Sequence, residues 1–244
     1  MKLLTKEWYQ TMQDSGLGLL LEVDERAAEC SEELFQTIWE EKLSAHLEDR
    51  RGLCPYLREA FDEERERANF AESYRWMLKD FRERTPAEIL ARVADIRLLA
   101  LGYCTEEVSQ ALEEYRRTCH KRTDEAMDEA WNQREAAGLD QVWTGEHSLH
   151  DSVVLALNRE GEDLRIEFER DDVDWPEIKA VRFRDARVRT MDKSPEQGWW
   201  LYDEIYRTEN GYEIHALLDK GGLCELTVEC GDVEVIWTVP PKTE

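Results

Sequence analysis

Near residue 145 the spacing of apolar side chains switches from the roughly 3.6-residue period of a helix to the 2-residue period of a strand. A chain with such a switch cannot be a uniform bundle or a uniform β-sandwich; it has to combine helices with a sheet. Upstream of the switch, Leu34, Ile38, Leu43 and Leu47 form one stripe with Phe35 and Trp39 beside it. A helix is therefore expected over 31–49, opened by Ser31 as cap and by Glu32 and Glu33 in the first turn, where acids favour the positive helix end. A shorter helix is expected over 5–13, and Gly52 with Pro55 predicts a break. The next helix carries Phe61, Phe70, Tyr74, Leu78 and Phe81 on an otherwise charged segment. Thr85, Pro86 and Glu88 have capping-box spacing with proline at the first helical position, and predict one helix through Ile89, Val93, Ile96 and Leu99 to Gly102. Thr105 caps the last helix, whose stripe of Val108, Leu112, Tyr115, Cys119, Ala126 and Ala130 reaches Ala137, a span of roughly 45 Å.

Downstream, Val153, Leu155 and Leu157 alternate with smaller or polar residues, and Leu164, Ile166 and Phe168 do the same after a turn at 158–163. This pattern predicts a hairpin, followed by a strand around 178–183. Asn210-Gly211, Lys220-Gly221-Gly222 and Gly231-Asp232 then separate four strands of a meander, 199–208, 212–218, 223–229 and 233–239, and Asn-Gly suits a type I′ turn. A sheet with one apolar face needs a cover. The expected fold class is thus α+β: a helical half, 1–140, packed on an antiparallel meander sheet of six to seven strands in 146–244, as two domains or one compact unit.

The formal net charge is -24, from 32 basic and 56 acidic residues. Nucleic-acid affinity comes largely from Lys and Arg neutralising phosphates, so no nucleic-acid partner is expected, and anionic membrane surfaces are disfavoured for the same reason. Solubility is the plainer reason for such acidity; a surface that steers a basic protein is the sharper one. The longest apolar run, Leu17 to Leu21 with Gly18 inside it, is too short to span a bilayer. The opening MKLLTKEWYQ lacks the sustained apolar run of a secretory signal, and no CxxC pair occurs among the six cysteines. A reduced, cytoplasmic protein is expected, with thiols that fill core positions.

Candidate chemistry is sparse. His147, His150 and Asp151, with Glu146, are suitable ligand types for a divalent transition metal and lie close in sequence where the period changes. They lack HExxH spacing, and a polar junction with histidines in turn hydrogen bonds is the plainer reading. Trp200, Tyr202 and Tyr206 alternate onto one face of a strand, with Trp199 and Leu201 on the other, and form a candidate binding surface; cross-strand packing is the plainer role for such rings. Glu213 and His215 share a strand face, where a pH-sensitive contact or a solvated surface are the alternatives. Acid pairs are too numerous in this chain to single one out as catalytic. No GxSxG, SxxK, GxxxxGK or GxGxxG motif is present, and Cys119 and His120 diverge on a helix, so no catalytic residue and no cofactor is assigned.

Met1, Lys2, Thr5, Lys6, Glu7, Trp8 and Tyr9, together with His150-Asp151-Ser152 at the start of the β half, resemble a bacterial family catalogued as domain of unknown function 4085. The helical-then-β layout resembles that family over most of the chain. The resemblance implies a bacterial protein and brings no activity or catalytic residue with it. From the residues themselves, the function expected is that of a non-enzymatic acidic protein that binds a basic protein, in the manner of inhibitors and immunity proteins. The alternative is a metal-dependent hydrolase at the junction of the two halves.

Overall fold

The computed structural model describes residues 1–57, 60–139, 148–169 and 177–239, with side chains left aside at 54–57. In chain order the elements are α1 (Lys6–Asp14), β1 (Glu22–Val23), α2 (Glu32–Leu57), α3 (Glu63–Arg84), α4 (Ala87–Leu90), α5 (Ile96–Ala100), β2 (Tyr103–Cys104) and α6 (Glu106–Ala137). The strands β3 (Ser152–Glu160), β4 (Asp163–Phe168), β5 (Ile178–Arg184), β6 (Arg187–Met191), β7 (Trp199–Thr208), β8 (Gly211–Asp219), β9 (Leu223–Cys230) and β10 (Asp232–Trp237) follow. The chain forms two compact units, one of Met12–His120 and one that joins Met1–Thr11 to Lys121–Glu244. The break expected at 140–146 falls outside the described residues. None of the described helices is long and apolar enough to cross a membrane.

In the helical unit, Ile38, Leu98 and Leu101 make one buried cluster under Phe35, Trp39, Phe70 and Tyr74. Leu17, Phe81, Ile89, Leu99, Val108 and Leu112 belong to a second. The caps foreseen at Ser31 and Thr105 are present: Leu34 N–H donates to Ser31 Oγ (3.3 Å) and Val108 N–H to Thr105 Oγ1 (3.3 Å). Three expectations fail. α2 runs through Gly52 and Pro55 to Leu57: one glycine inside a helix costs only about 1 kcal/mol relative to alanine, and Pro55 stands in the last turn, where the backbone N–H it lacks removes one bond at the helix end. The single helix foreseen from Pro86 to Gly102 is two short ones, because Asp95 starts a new helix by accepting Arg97 N–H at 2.9 Å while pairing with its guanidinium. Thr85 does not cap: it closes α3 through its N–H to Phe81 O, and its buried hydroxyl has no partner among the described residues. The parallel β1–β2 pair has too little sequence to be foreseen.

In the other unit the described strands form an eight-stranded antiparallel sheet in the order β10-β5-β4-β3-β7-β8-β9-β6. The strand that the sequence hides is β6, whose residues RVRTM are all at least partly exposed and offer only Val188 to a core. The meander also stops one strand early. Only Gly231 separates β9 from β10, and Gly231 N–H donates to Arg184 O (2.8 Å), so the chain swings over to pair β10 with β5. Likewise β5 bends into β6 at Asp185, which takes a left-handed φ of 51°. The pairs Asp232 with Arg184 and Arg187 with Glu229 flank that corner. Two bent strands therefore pair along both arms, and the order returns on itself as a barrel, partly open where β3 and β7 pair only at Ser152–Val153. Inside it lies one core, from Leu149 and Val154 through Phe183 and Trp200 to Cys230, with Ala137 and Leu139 from the end of α6. The Asn210-Gly211 turn is not type I′. Glu209 and Asn210 form the turn, without positive φ, and Gly211 already sits in β8, where a Cβ would lie 2.0 Å from Cys230 O.

Candidate functional site

The outer face of β7, β8 and β9 carries the polar and aromatic residues that matter, and a register slip decides which ones they are. Opposite β8, Trp200 pairs with Leu218 but Tyr202 with Leu217, so Leu201 is an extra residue, a β-bulge. A one-residue insertion reverses the alternation. Trp200 consequently points inward: it is 1% exposed, packs edge-on against Phe168 at 5.6 Å, and its indole N–H donates to Asp203 Oδ2 at 2.9 Å. It cannot belong to a binding surface with Tyr202 and Tyr206, and the face assigned from alternation is corrected on this point. Trp199, foreseen on the opposite face, pairs with Asp219 and shares the outer face with Tyr202.

One end of this face lies under the first residues of the chain. Glu204 is 0% exposed, and its carboxylate accepts the backbone N–H groups of Lys2 (2.9 Å), Leu3 (2.9 Å) and Leu4 (2.5 Å) and the hydroxyl of Tyr206 (2.8 Å). Burial, then the bond to Glu204, push the Tyr206 phenol far above its ordinary value. Lys2 Nζ lies 3.9 Å from the centre of the Tyr206 ring and 2.8 Å from Glu213, while the nitrogen of Met1 donates to Glu225 at 3.0 Å. His215 is buried here between Glu213 (2.5 Å from Nε2) and Thr227 (3.3 Å from Nδ1), so the solvated alternative does not hold. Burial holds its imidazole below the usual histidine value despite Glu213. Thr227, His215 and Glu213 stand in the order of a nucleophile, a base and an orienting acid, but Thr227 and His215 are both buried among the described residues. Their chemistry is that of an anchor.

The other end is open. Tyr202 is half-buried with Trp8 edge-on at 4.8 Å, Tyr9 at 6.2 Å and His150 at 4.8 Å, centre to centre. Thr5 starts α1 by accepting Trp8 N–H at 3.1 Å, and the Trp8 indole donates to Thr123 O at 3.1 Å, which fixes that helix turn against the part of α6 in the same unit. His150 precedes β3 in a turn where Asp151 takes a left-handed φ of 60°, Asp151 N–H donates to Trp200 O (2.8 Å) and Ser152 N–H to Leu149 O (3.0 Å). His150 Nδ1 contacts the carbonyl of Leu201, which only accepts, so Nδ1 carries the proton; Nε2 lies 3.6 Å from Asp151. Burial, then Asp219 and Asp151, push the Tyr9 phenol up; burial, Tyr9 and Asp151 do the same to Tyr202. Two tyrosines and an imidazole thus share one surface with two carboxylates: Asp151 beside His150, and Asp219 on the same face of β8 as Leu217, which pairs with Tyr202.

Of the residues proposed for metal, His150 and Asp151 come together at this surface, while His147 and Glu146 lie outside the described residues. No group of three potential ligands converges among the described residues. The additions to the sequence-derived set are Trp8, Tyr9 and Asp219. Trp8 and Tyr9 stand in the opening motif; Asp219 reads as a turn residue, and does accept Gly222 N–H at 2.8 Å. A family model described as Protein of unknown function (DUF4085) matches residues 3–230. No curated protein and no solved structure matches the chain.

Proposed function

The chain belongs to the DUF4085 family, whose description assigns no activity, and from its own side chains we propose a non-catalytic binding protein that takes cationic side chains of a basic protein partner around Tyr202. The observation that carries this reading is the convergence of Tyr9, Tyr202 and His150 with Asp151 and Asp219. Aromatic faces attract ammonium and guanidinium groups, by about 1 kcal/mol at exposed sites and more when water is excluded, and the carboxylates add charge pairing. The unit that carries the surface has 31 acidic and 17 basic residues, a field that would steer such a partner at low salt.

The test is calorimetric titration with an oligo-arginine peptide at low ionic strength. Asp151→Asn with Asp219→Asn should weaken binding by about tenfold, the equivalent of about 1.4 kcal/mol. The control with the same loss of charge, Glu113→Gln with Glu114→Gln on the exposed side of α6, should change it by less than about twofold. Equal losses in both variants would reduce the surface to diffuse acidity and remove the reading.

A metal-dependent hydrolase at His147, His150 and Asp151 is the second reading, favoured by one observation: the Nδ1–H of His150, held by Leu201 O, leaves Nε2 with the lone pair that a metal requires. Stoichiometric metal in the purified protein, lost in His147→Ala with His150→Ala, would put it first; equal and trace metal in both would dispose of it.

A further inference from the structure

The helical unit exposes apolar surface that its own fold does not explain. Leu19 and Leu20 are 68% and 91% exposed, and Trp76 on α3 is 62% exposed. They rim a groove of about 540 Å³ whose floor includes Leu17, Met77 and Phe81. The loop that presents the leucines is tightly wound. Leu17 N–H donates to Asp14 O (3.0 Å), Leu19 N–H to Gly16 O (3.2 Å) and Leu21 N–H to Gly18 O (3.2 Å). Gly18 has φ +67°, and a Cβ there would lie 2.8 Å from Leu21 Cδ1 and 3.1 Å from Leu112 Cδ1. The backbone is thus held in a form in which Leu17 plugs the core while Leu19 and Leu20 face water. Exposed leucines beside a tryptophan, on a fixed loop and next to a groove, are the mark of an interface.

The net charge of the unit selects the occupant. At the polar end of the groove Arg84 donates to Asp80 through Nη1 (3.0 Å) and to Asp14 through Nε (2.9 Å), while its buried Nη2 has no partner among the described residues, so two carboxylates surround one guanidinium and are already bonded to it. The whole unit has 25 acidic and 15 basic residues. A second copy of a chain of net charge -24 would be repelled, and an anionic lipid surface likewise. We propose that this groove docks an amphipathic segment of a protein partner, leucine-like on one side and flanked by lysine or arginine on the other. The inference rests on the basic-partner reading and adds to it a second, apolar contact surface.

The probe is a synthetic amphipathic helix of leucine and lysine, with a glycine–lysine peptide of equal charge beside it, titrated calorimetrically into the full chain. The leucine–lysine peptide should bind at least about tenfold more tightly than the glycine–lysine peptide, a difference of about 1.4 kcal/mol. Leu20→Asp and Trp76→Ala, made separately, should each abolish that difference, and Asp151→Asn with Asp219→Asn should leave it in place. Leu20 is almost wholly in solvent, so its variant keeps the fold, which an unchanged urea midpoint verifies. Equal affinity of the two peptides for the unaltered protein, or a difference that survives both variants, would overturn the groove. So would a concentration-dependent dimer that Leu20→Asp dissolves, since it would make a second copy the occupant. If only the groove fails, the glycine–lysine peptide will still bind and will lose affinity in the Asp151/Asp219 variant; if neither peptide binds, both readings fall.

Discussion

In the barrel unit a carboxylate, Glu204, is wholly buried with its oxygens on three backbone N–H groups and a tyrosine hydroxyl, whereas in the helical unit two leucines and a tryptophan stand in water. Each is the reverse of what burial alone would select. A charge inside and leucines outside cost free energy, and both persist only where something offsets them. For Glu204 the offset is visible, because the carboxylate binds the start of the chain to β7 with charge-assisted hydrogen bonds. For Leu19 and Leu20 none of the described residues of their unit provides it. The contrast separates a polar cluster that completes a fold from an apolar cluster that its fold leaves in water, the one we propose as a docking groove.

The sharpest way to break this comparison is to empty the buried cluster. Glu204→Ala leaves three N–H groups and the Tyr206 hydroxyl without their acceptor, and should lower stability by about 4 kcal/mol in urea unfolding. Glu204→Gln, which keeps one carbonyl oxygen, should lose less. A loss under about 1 kcal/mol for the alanine variant would mean that the first residues are not held by this group. Next in size is Arg134→Ala, expected to cost about 3 kcal/mol, because Asp203 on β7 would lose its guanidinium while staying buried.

A smaller effect distinguishes the units by pH. His215 has a folded-state value below its unfolded one, so the unfolded chain takes up its proton first as pH falls. The contribution of the neutral imidazole is thus complete above the ordinary histidine range, about 6.5, and is lost as pH drops from there toward the lower folded value. Protection of the 1–5 backbone in hydrogen exchange should decline over that window in the native protein and less in His215→Gln. The smallest change is expected at the exposed leucines: Leu20→Asp should leave stability within about 0.5 kcal/mol, and a larger loss would show that the loop closes on its own unit.

How much of this was legible in the sequence follows from where a local signal exists. The switch of period from Ala137 to Ser152 announces helices followed by antiparallel strands, and the structure has that class. Caps with short-range chemistry, at Ser31 and Thr105, were legible for the same reason. The bulge at Leu201 was not, since an inserted residue leaves no mark in alternation when its neighbours, Trp200 and Tyr202, are equally large and apolar. Nor was the bend at Asp185 and Gly231, where two turns of ordinary appearance carry strands across to the far edge and close the barrel. Of the site, His150, Asp151 and Tyr202 were visible as residue types, but their assembly with Tyr9 and Asp219 depends on α1, a turn and a strand end distant in sequence.

The most direct test of the central claim, that recognition is focused around Tyr202 and not spread over an acidic surface, is hydrogen exchange of the whole protein with and without an oligo-arginine peptide. Slowed exchange is expected at 7–10, 148–152 and 217–220, with no change on β5, β6 or β10. Slowing spread evenly over the acidic surface, or none at all, would contradict it.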